Sequence, residues 1–232
     1  VRWCERTGVN RSLLLDFVYF NHVFFVIMKN SNEGGGGLLL GQLANVSQGI
    51  TLSRIQPTNP TMSERVSLFT MKEMNESLGF QISSSEEEQF AEVDKQKQNQ
   101  IVRTTENMVL INLIARKAVV VTNQHVGKII PSNFAIVEID TNKLNPYYFA
   151  WYFNEHPTCQ RQLRIATQGS IVSALSIQML RELKVITPAR EQQQKIGRMY
   201  QLLIRKKLLM TQRQQLEEMF LKQIMHNAIQ ED

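Results

Sequence analysis

The stretch "PAREQQQKIG", Pro188–Gly197, divides the chain. A short apolar run, "LKVITP", precedes it, and a charged, glutamine-rich tail follows. Proline fixes φ near the helical value and lacks an N–H that a first turn could not use, so Pro188 reads as a helix start. Glu191 falls in the first turn, where a negative charge suits the helix dipole. With Thr187 as N-cap the third helical position is Arg190, so no capping box is present. The 45 residues Pro188–Asp232 hold no second proline and one glycine, Gly197. If helical throughout, they reach about 67 Å at 1.5 Å per residue. Leu202, Leu209 and Leu216 recur every seventh residue; Phe220, Ile224 and Ala228 continue by fours, and Met199 and Leu203 lead in. A helix this long cannot bury such a stripe on a small domain alone, so a partner helix is expected. Arg205-Lys206-Lys207 and "TQRQQ" (Thr211–Gln215) interrupt the stripe, which argues against a simple parallel leucine zipper. A helical hairpin folded back on its own domain is the alternative.

Upstream, strands come first and helices second. "LLLGQLANVSQG" (38–49) reads as a short apolar segment ending in a turn at Gly49. Two prolines in four residues make "RIQPTNPTMSE" (54–64) a loop. "SSSEEEQF" (83–90) reads as a solvated loop or helix start. "MVLINLIARKAVVV" (108–121) reads as buried strands with a turn near Arg116-Lys117, and "FAIVEID" (134–140) as another strand. "NPYYFAWYFNEHP" has Asn145 as N-cap, Pro146 at the first helical position and Pro157 as terminator, with Tyr148/Tyr152 and Phe149/Phe153 as i,i+4 pairs. "ALSIQMLRELKVITP" supplies a Ser176 N-cap, a helix through Leu183 and a short strand.

The 232 residues suffice for one sizeable core plus an appendage. Hydrophobic residues at 43% and charged ones at 20% exclude global disorder. The net charge of +5 is uneven: residues 1–100 carry 9 Lys/Arg against 11 Asp/Glu, residues 101–232 carry 17 against 10. A basic half points to an anionic partner, nucleic acid above all, or to an ordinary solvated surface. Cys4 and Cys159 make no disulfide framework, which fits a reducing, cytoplasmic setting. The four histidines have no ligand spacing, so no zinc signature is present.

The candidate nucleic-acid face lies in "TCQRQLRIATQGS" (158–170). Cys159, Leu163 and Ala166 share one side of a helix, Arg161, Arg164 and Gln168 the other, with Gly169 as the stop. Arg can fork onto phosphate or guanine and Gln can pair with adenine. Ser170 and the loop "TNQHVGK", with Asn123, Gln124, His125 and Lys128, complete the candidate contacts. Two enzyme-like patterns fail on spacing. "NPYY" (145–148) lacks the second proline of the N-P-P-Y motif of adenine methyltransferases, and no glycine-rich loop follows a strand. In "VEIDTNK", Glu138, Asp140 and Lys143 are wrongly spaced for a metal-dependent nuclease. No P-loop and no G-x-S-x-G occurs.

Residues Leu144–Met199 together resemble the DNA-specificity subunits of type I restriction-modification systems. The matching features, in order, are Gly169-Ser170, the helix with Leu175-Ser176 and Leu180, the apolar strand, and the proline-initiated helix with Glu191-Gln192. "LLLGQLANVSQG" is similar to the family's opening strand and turn. Glu106-Asn107 stands where the family often has Gly-Asp, and Ala189 replaces a second proline. The resemblance implies an α+β chain: a globular mixed α/β target recognition domain (38–187) followed by a long C-terminal helix (188–232) that pairs antiparallel in a coiled coil. It implies a non-catalytic subunit that reads one half of a split site in double-stranded DNA and binds methyltransferase and restriction subunits. Those partners, not this chain, would use S-adenosylmethionine, ATP and Mg. One domain and one helix make a half-subunit, completed by a second copy or another half through Met199, Leu202, Leu209, Leu216, Phe220 and Ile224. The alternative is a non-catalytic dimeric interaction module with an incidental basic surface.

Residues 1–37 are expected to be an extension and glycine linker. "LLLDFVYFNHVFFVIM" (13–28) is too short and too polar for the roughly 20 apolar residues of a membrane span. Residues 1–27 are expected to lie outside the natural fold, with translation starting at or after Met28; a buried strand or helix is the alternative.

Overall fold

The computed structural model describes residues 37–57, 63–80, 87–168 and 174–230. The expectations for residues 1–36, and those resting on Gly169 and Ser170, lie outside the described residues.

The centre is an antiparallel sheet in the order β2-β7-β5-β6, built from β2 (Ala44–Gln48), β5 (Val109–Asn112), β6 (Lys117–Val120) and β7 (Phe134–Ile139). Side chains alternate across a strand, and here both faces are covered. Val109, Ile111, Ala118, Val120, Ala135 and Val137 enter one core; Leu110, Val119, Phe134 and Ile136 enter the other. This explains why 108–121 reads as an unbroken apolar run. Arg116 takes a left-handed φ of 53° at the turn, and Lys117 opens β6.

The larger core is closed by α3 (Pro146–Glu155), which follows α1 (Leu40–Leu43) and α2 (Met71–Ser77) in the chain. Asn145 Oδ1 accepts the Tyr148 N–H as foreseen, and Pro146 sits in the first turn. Tyr148 through Asn154 are all buried, so this helix is apolar all round because it is an interior one. Tyr148 and Tyr152 donate their hydroxyls to the Ile186 and Lys184 carbonyls at 2.7 and 3.0 Å. Pro157 does more than stop α3. His156 is at once the C-cap of α3 and the N-cap of α4 (Pro157–Ala166), so one residue makes the corner. Cys159 and Leu163 face the core, but Ala166, the last residue of α4, is exposed.

Strand β1 (Leu38–Leu39) pairs antiparallel with β8 (Lys184–Val185), so the chain enters and leaves the domain on one ribbon. The helix before β8, α5 (Ile177–Arg181), ends two residues short of Leu183, since the Leu183 carbonyl accepts the Leu40 N–H. A separate hairpin, β3 (Ser63–Ser67) with β4 (Phe90–Asp94), carries its own small core of Ile55, Val66, Leu68, Val93, Ile101 and Ile129. The part of "SSSEEEQF" within the described residues is extended and leads into β4; it starts no helix.

The last element, α6 (Arg190–Gln230), is one continuous helix of 41 residues, about 62 Å long. It does not fold back as a hairpin. It begins later than Thr187 would set, with Ala189 O accepting the Gln193 N–H. Gln193 is buried and saturated: it accepts the Asn145 N–H at 2.9 Å and donates to Lys143 O and Pro188 O. One turn on, a Cβ at Gly197 would meet Asn145 Oδ1 at 2.6 Å. Gln193 is therefore an internal fastener, and Gly197 permits the close crossing of α6 over the start of α3. We expect Gln193→Ala and Gly197→Ala each to lower the unfolding free energy by about 1–3 kcal/mol in urea titrations, the first through an orphaned N–H, the second through overpacking.

Candidate nucleic-acid interface

The predicted contacts divide into two groups. Arg161, Arg164 and Gln168 are all exposed and lie together on or just beyond α4. The helix is held by Cys159 and Leu163 beneath it and by Gln162, whose amide bonds both ways with the Lys184 backbone at 2.9 Å. Burial pushes the Cys159 thiol up to about 12, so it is a packing group and not a nucleophile. Arg116 donates to Thr167 Oγ1 at 3.2 Å, which brings the β5–β6 turn, with its own Arg116-Lys117 pair, against the end of α4. The sequence reading missed this addition because the pairing spans 51 residues. α4 contains two arginines and no carboxylate.

The second group follows β6. Strand β6 separates it from Arg116, so the two groups stand about 13 Å apart or more at 3.3 Å per strand residue. Asn123 and Gln124 are exposed. Asn123 lies 3.1 Å from the Glu106 carboxylate, its amide nitrogen oriented to donate. His125 and Lys128 are buried. The Lys128 ammonium is clamped by Glu73 at 2.8 Å and Glu88 at 2.6 Å. Burial opposes the charge on Glu73, but hydrogen bonds from Lys128 and Thr70 outweigh it and hold the carboxyl at about 2. Burial also opposes the charge on Lys128, yet its two carboxylates raise its pKa. Burial lowers the pKa of the His125 imidazole, which lies 3.4 Å from Glu76 and edge-on to Phe69. Thr104 pins the loop, donating to His125 O and accepting from Lys128 N. His125 and Lys128 thus belong to the interior scaffold, and we remove both from the candidate contacts. Four carboxylates (Glu73, Glu76, Glu88 and Glu106) surround this loop against Lys128 and Arg103, a balance that repels phosphate.

The enzyme-like residues have structural partners. Glu138 accepts from Asn45 at 2.9 Å. Asp140 accepts the Asn142 N–H and pairs with Lys143, and these two contacts, in that order, lower its pKa. Among the described residues no group of three His, Cys, Asp or Glu could hold a metal ion, and no helix is long and apolar enough to cross a membrane.

On the spacer, Met199 is half-buried, while Leu202, Leu209, Leu216, Phe220 and Ile224 are exposed, Phe220 at 67%. The five exposed residues form an apolar line on α6.

The family model described as the type I restriction modification DNA specificity domain matches residues 39–218. Two solved structures share the fold. One belongs to a type I R-M system studied for its complex assembly and conformational transition, with TM-score 0.55, 13% identity, and coverage of 85% of this chain and 49% of that one. The other is the HsdS subunit from Thermoanaerobacter tengcongensis, with TM-score 0.52, 13% identity, and coverage of 81% and 46%. The chain therefore spans about half the length of the solved chains it matches. No curated protein matches it.

Truncating one partner of a buried ion pair strands the other charge. Lys128→Met should cost about 3–5 kcal/mol in chemical denaturation, whereas Asn123→Ala should stay within about 0.5 kcal/mol. Glu73 is held below its ordinary 4.5, so its contribution is complete above about pH 4.5 and drains as pH falls toward about 2. Glu73→Gln should flatten that part of the acid-unfolding profile.

Proposed function

Because this chain belongs to the type I restriction-modification DNA specificity family, we propose that it is a non-catalytic DNA-reading subunit in half-length form. One recognition domain reads one half of a split target, and α6 sets the distance to the other half. The observation that carries this reading is the division of α6: its first four turns are fastened to the domain, and the rest projects with an exposed apolar line. On this reading, double-stranded DNA lies against the α4 face. Arg161, Arg164 and Arg116 would take phosphates, and Gln168 would read a base edge. Methyltransferase subunits, and restriction subunits where present, would supply the chemistry with S-adenosylmethionine, ATP and Mg.

The second half is best supplied by a second copy. At 100° per residue, Leu202, Leu209, Leu216, Phe220 and Ile224 fall within about 40° of one line, which lies roughly opposite the domain-facing Gln193, Ile196 and Tyr200. An antiparallel two-fold pair would lay this line against its own copy. A pair of this kind would present two inverted half-sites at a fixed spacing.

Co-expression with a type I methyltransferase subunit tests the reading. Co-purification and adenine methylation at a split motif are expected; neither would leave a protein-interaction module. Arg161→Ala with Arg164→Ala should weaken DNA binding and reduce the slope of log K against log salt by about 2, with the melting temperature unchanged. Leu209→Asp with Leu216→Asp should convert the dimer to a monomer in sedimentation.

A further inference from the structure

The spacer's angle is set by a small polar hub that the sequence reading passed over. Strand β6 is an edge of the central sheet, and Ala118 on it is fully buried. A buried edge leaves an N–H and a carbonyl to satisfy. The Asn154 side chain does both: its Oδ1 accepts the Ala118 N–H at 2.8 Å, and its Nδ2 donates to Ala118 O at 2.7 Å. The second Nδ2 hydrogen goes to the Tyr200 hydroxyl at 2.9 Å. Asn154 and Tyr200 are each 5% exposed. One side chain of α3 thus ties the sheet edge to α6 through bonds that tolerate little misalignment.

The hub is the middle of three fixings along α6. Gln193 is the first. The third is Gly79, where a Cβ would meet Ile204 O at 2.4 Å, so the turn after α2 lies flush on the helix, with Lys207 over the Phe80 ring. Beyond Lys207 most of the helix's described residues are exposed. Taking Gln193 as pivot, Tyr200 lies about 10 Å along the axis and the helix end about 55 Å. A 1 Å slip at Tyr200 would move the end by about 5 Å, more than the 3.4 Å rise of one base pair. Soft apolar contact permits such slips, and a saturated buried amide does not.

We propose that Asn154 and Tyr200 are positioning residues for spacing: they touch no DNA, and they fix the separation at which two half-sites are accepted. The inference rests on the split-site reading above. Two readouts on the full chain with its methyltransferase subunit test it, using Tyr200→Phe and Tyr200→Ala. The first is the set of spacer lengths methylated in a randomised-spacer library. The second is the distribution of distances between spin labels at Asn142 and Asn227, with labelled chain diluted into unlabelled. Wild type should accept one spacer length with a narrow distance distribution. Tyr200→Phe should keep the half-site bases, lower the melting temperature modestly through the orphaned Asn154 N–H, widen the distribution and admit spacers one base pair longer or shorter; Tyr200→Ala should widen both further. If Tyr200→Ala fails to fold, Tyr200→Phe alone decides. An unchanged distribution, or a widened one with an unchanged spacer, overturns the inference. A wild type that methylates no split motif overturns the reading it rests on, and the distance distribution then still decides whether the hub holds the helix.

Discussion

The crossing of α6 over the N-terminus of α3 governs the architecture. Asn145 caps α3 with its side chain while its own N–H goes to Gln193, so the start of one helix is completed by the first turn of the other. Buried amides are directional and costly to leave unmade, unlike leucine contacts that can slide. Gly197, one turn later, brings the backbones close enough for that bond to form. Ile196 and Tyr200 then fill the same crossing with apolar surface. Hydrophobic area supplies the bulk attraction here, and the carboxamide supplies the register.

The same device recurs. Gln162 bonds both ways to Lys184, on the strand that also pairs with β1, and Asn154 bonds both ways to Ala118 on β6. In each case a side-chain amide stands in for one residue of a neighbouring strand. An open edge would present unpaired groups to any passing chain; a single carboxamide closes it without a further strand and leaves the helix that carries it free to do other work. For α3 that work is to seat α6. For α4 it is to carry Arg161 and Arg164 outward.

Local chemistry was readable from the residues and long-range chemistry was not. Asn145, Pro146, Ser176 and the paired rings of α3 act within four residues of themselves, and each took its expected part. The strands at 109–120 and 134–139 announced themselves by continuous β-branched runs. Lys128 did not, because its partners Glu73 and Glu88 lie 55 and 40 residues away and nothing in "TNQHVGK" distinguishes a buried lysine from a solvated one. Gln193 was illegible for the same reason: within a run of three glutamines, only the crossing with α3 decides which one is interior. On and just beyond α4, Arg161, Arg164 and Gln168 came out as one exposed face because helical periodicity alone fixes which side they take; Ala166, at the helix's last position, did not follow Cys159 and Leu163 inward.

The charge asymmetry has a different origin from the one its sign suggests. Eight of the chain's cations (Arg190, Lys195, Arg198, Arg205, Lys206, Lys207, Arg213 and Lys222) sit on α6, against Glu191, Glu217 and Glu218. Two of these cations are already paired within the helix, Lys195 with Glu191 and Arg213 with Glu217, at exposed sites where such pairs add little. Most of the positive balance therefore belongs to the spacer and not to the domain, so net charge alone does not locate a DNA face. The domain's own evidence is narrower and better placed. α4 and the Arg116 turn concentrate cations on one exposed face, while the 123–128 loop is ringed by carboxylates. At a Debye length of about 8 Å, a phosphate approaching either group feels the charges beside it far more than the spacer beyond. Local balance, and not the sum over the chain, is what supports the α4 face as the proposed DNA contact.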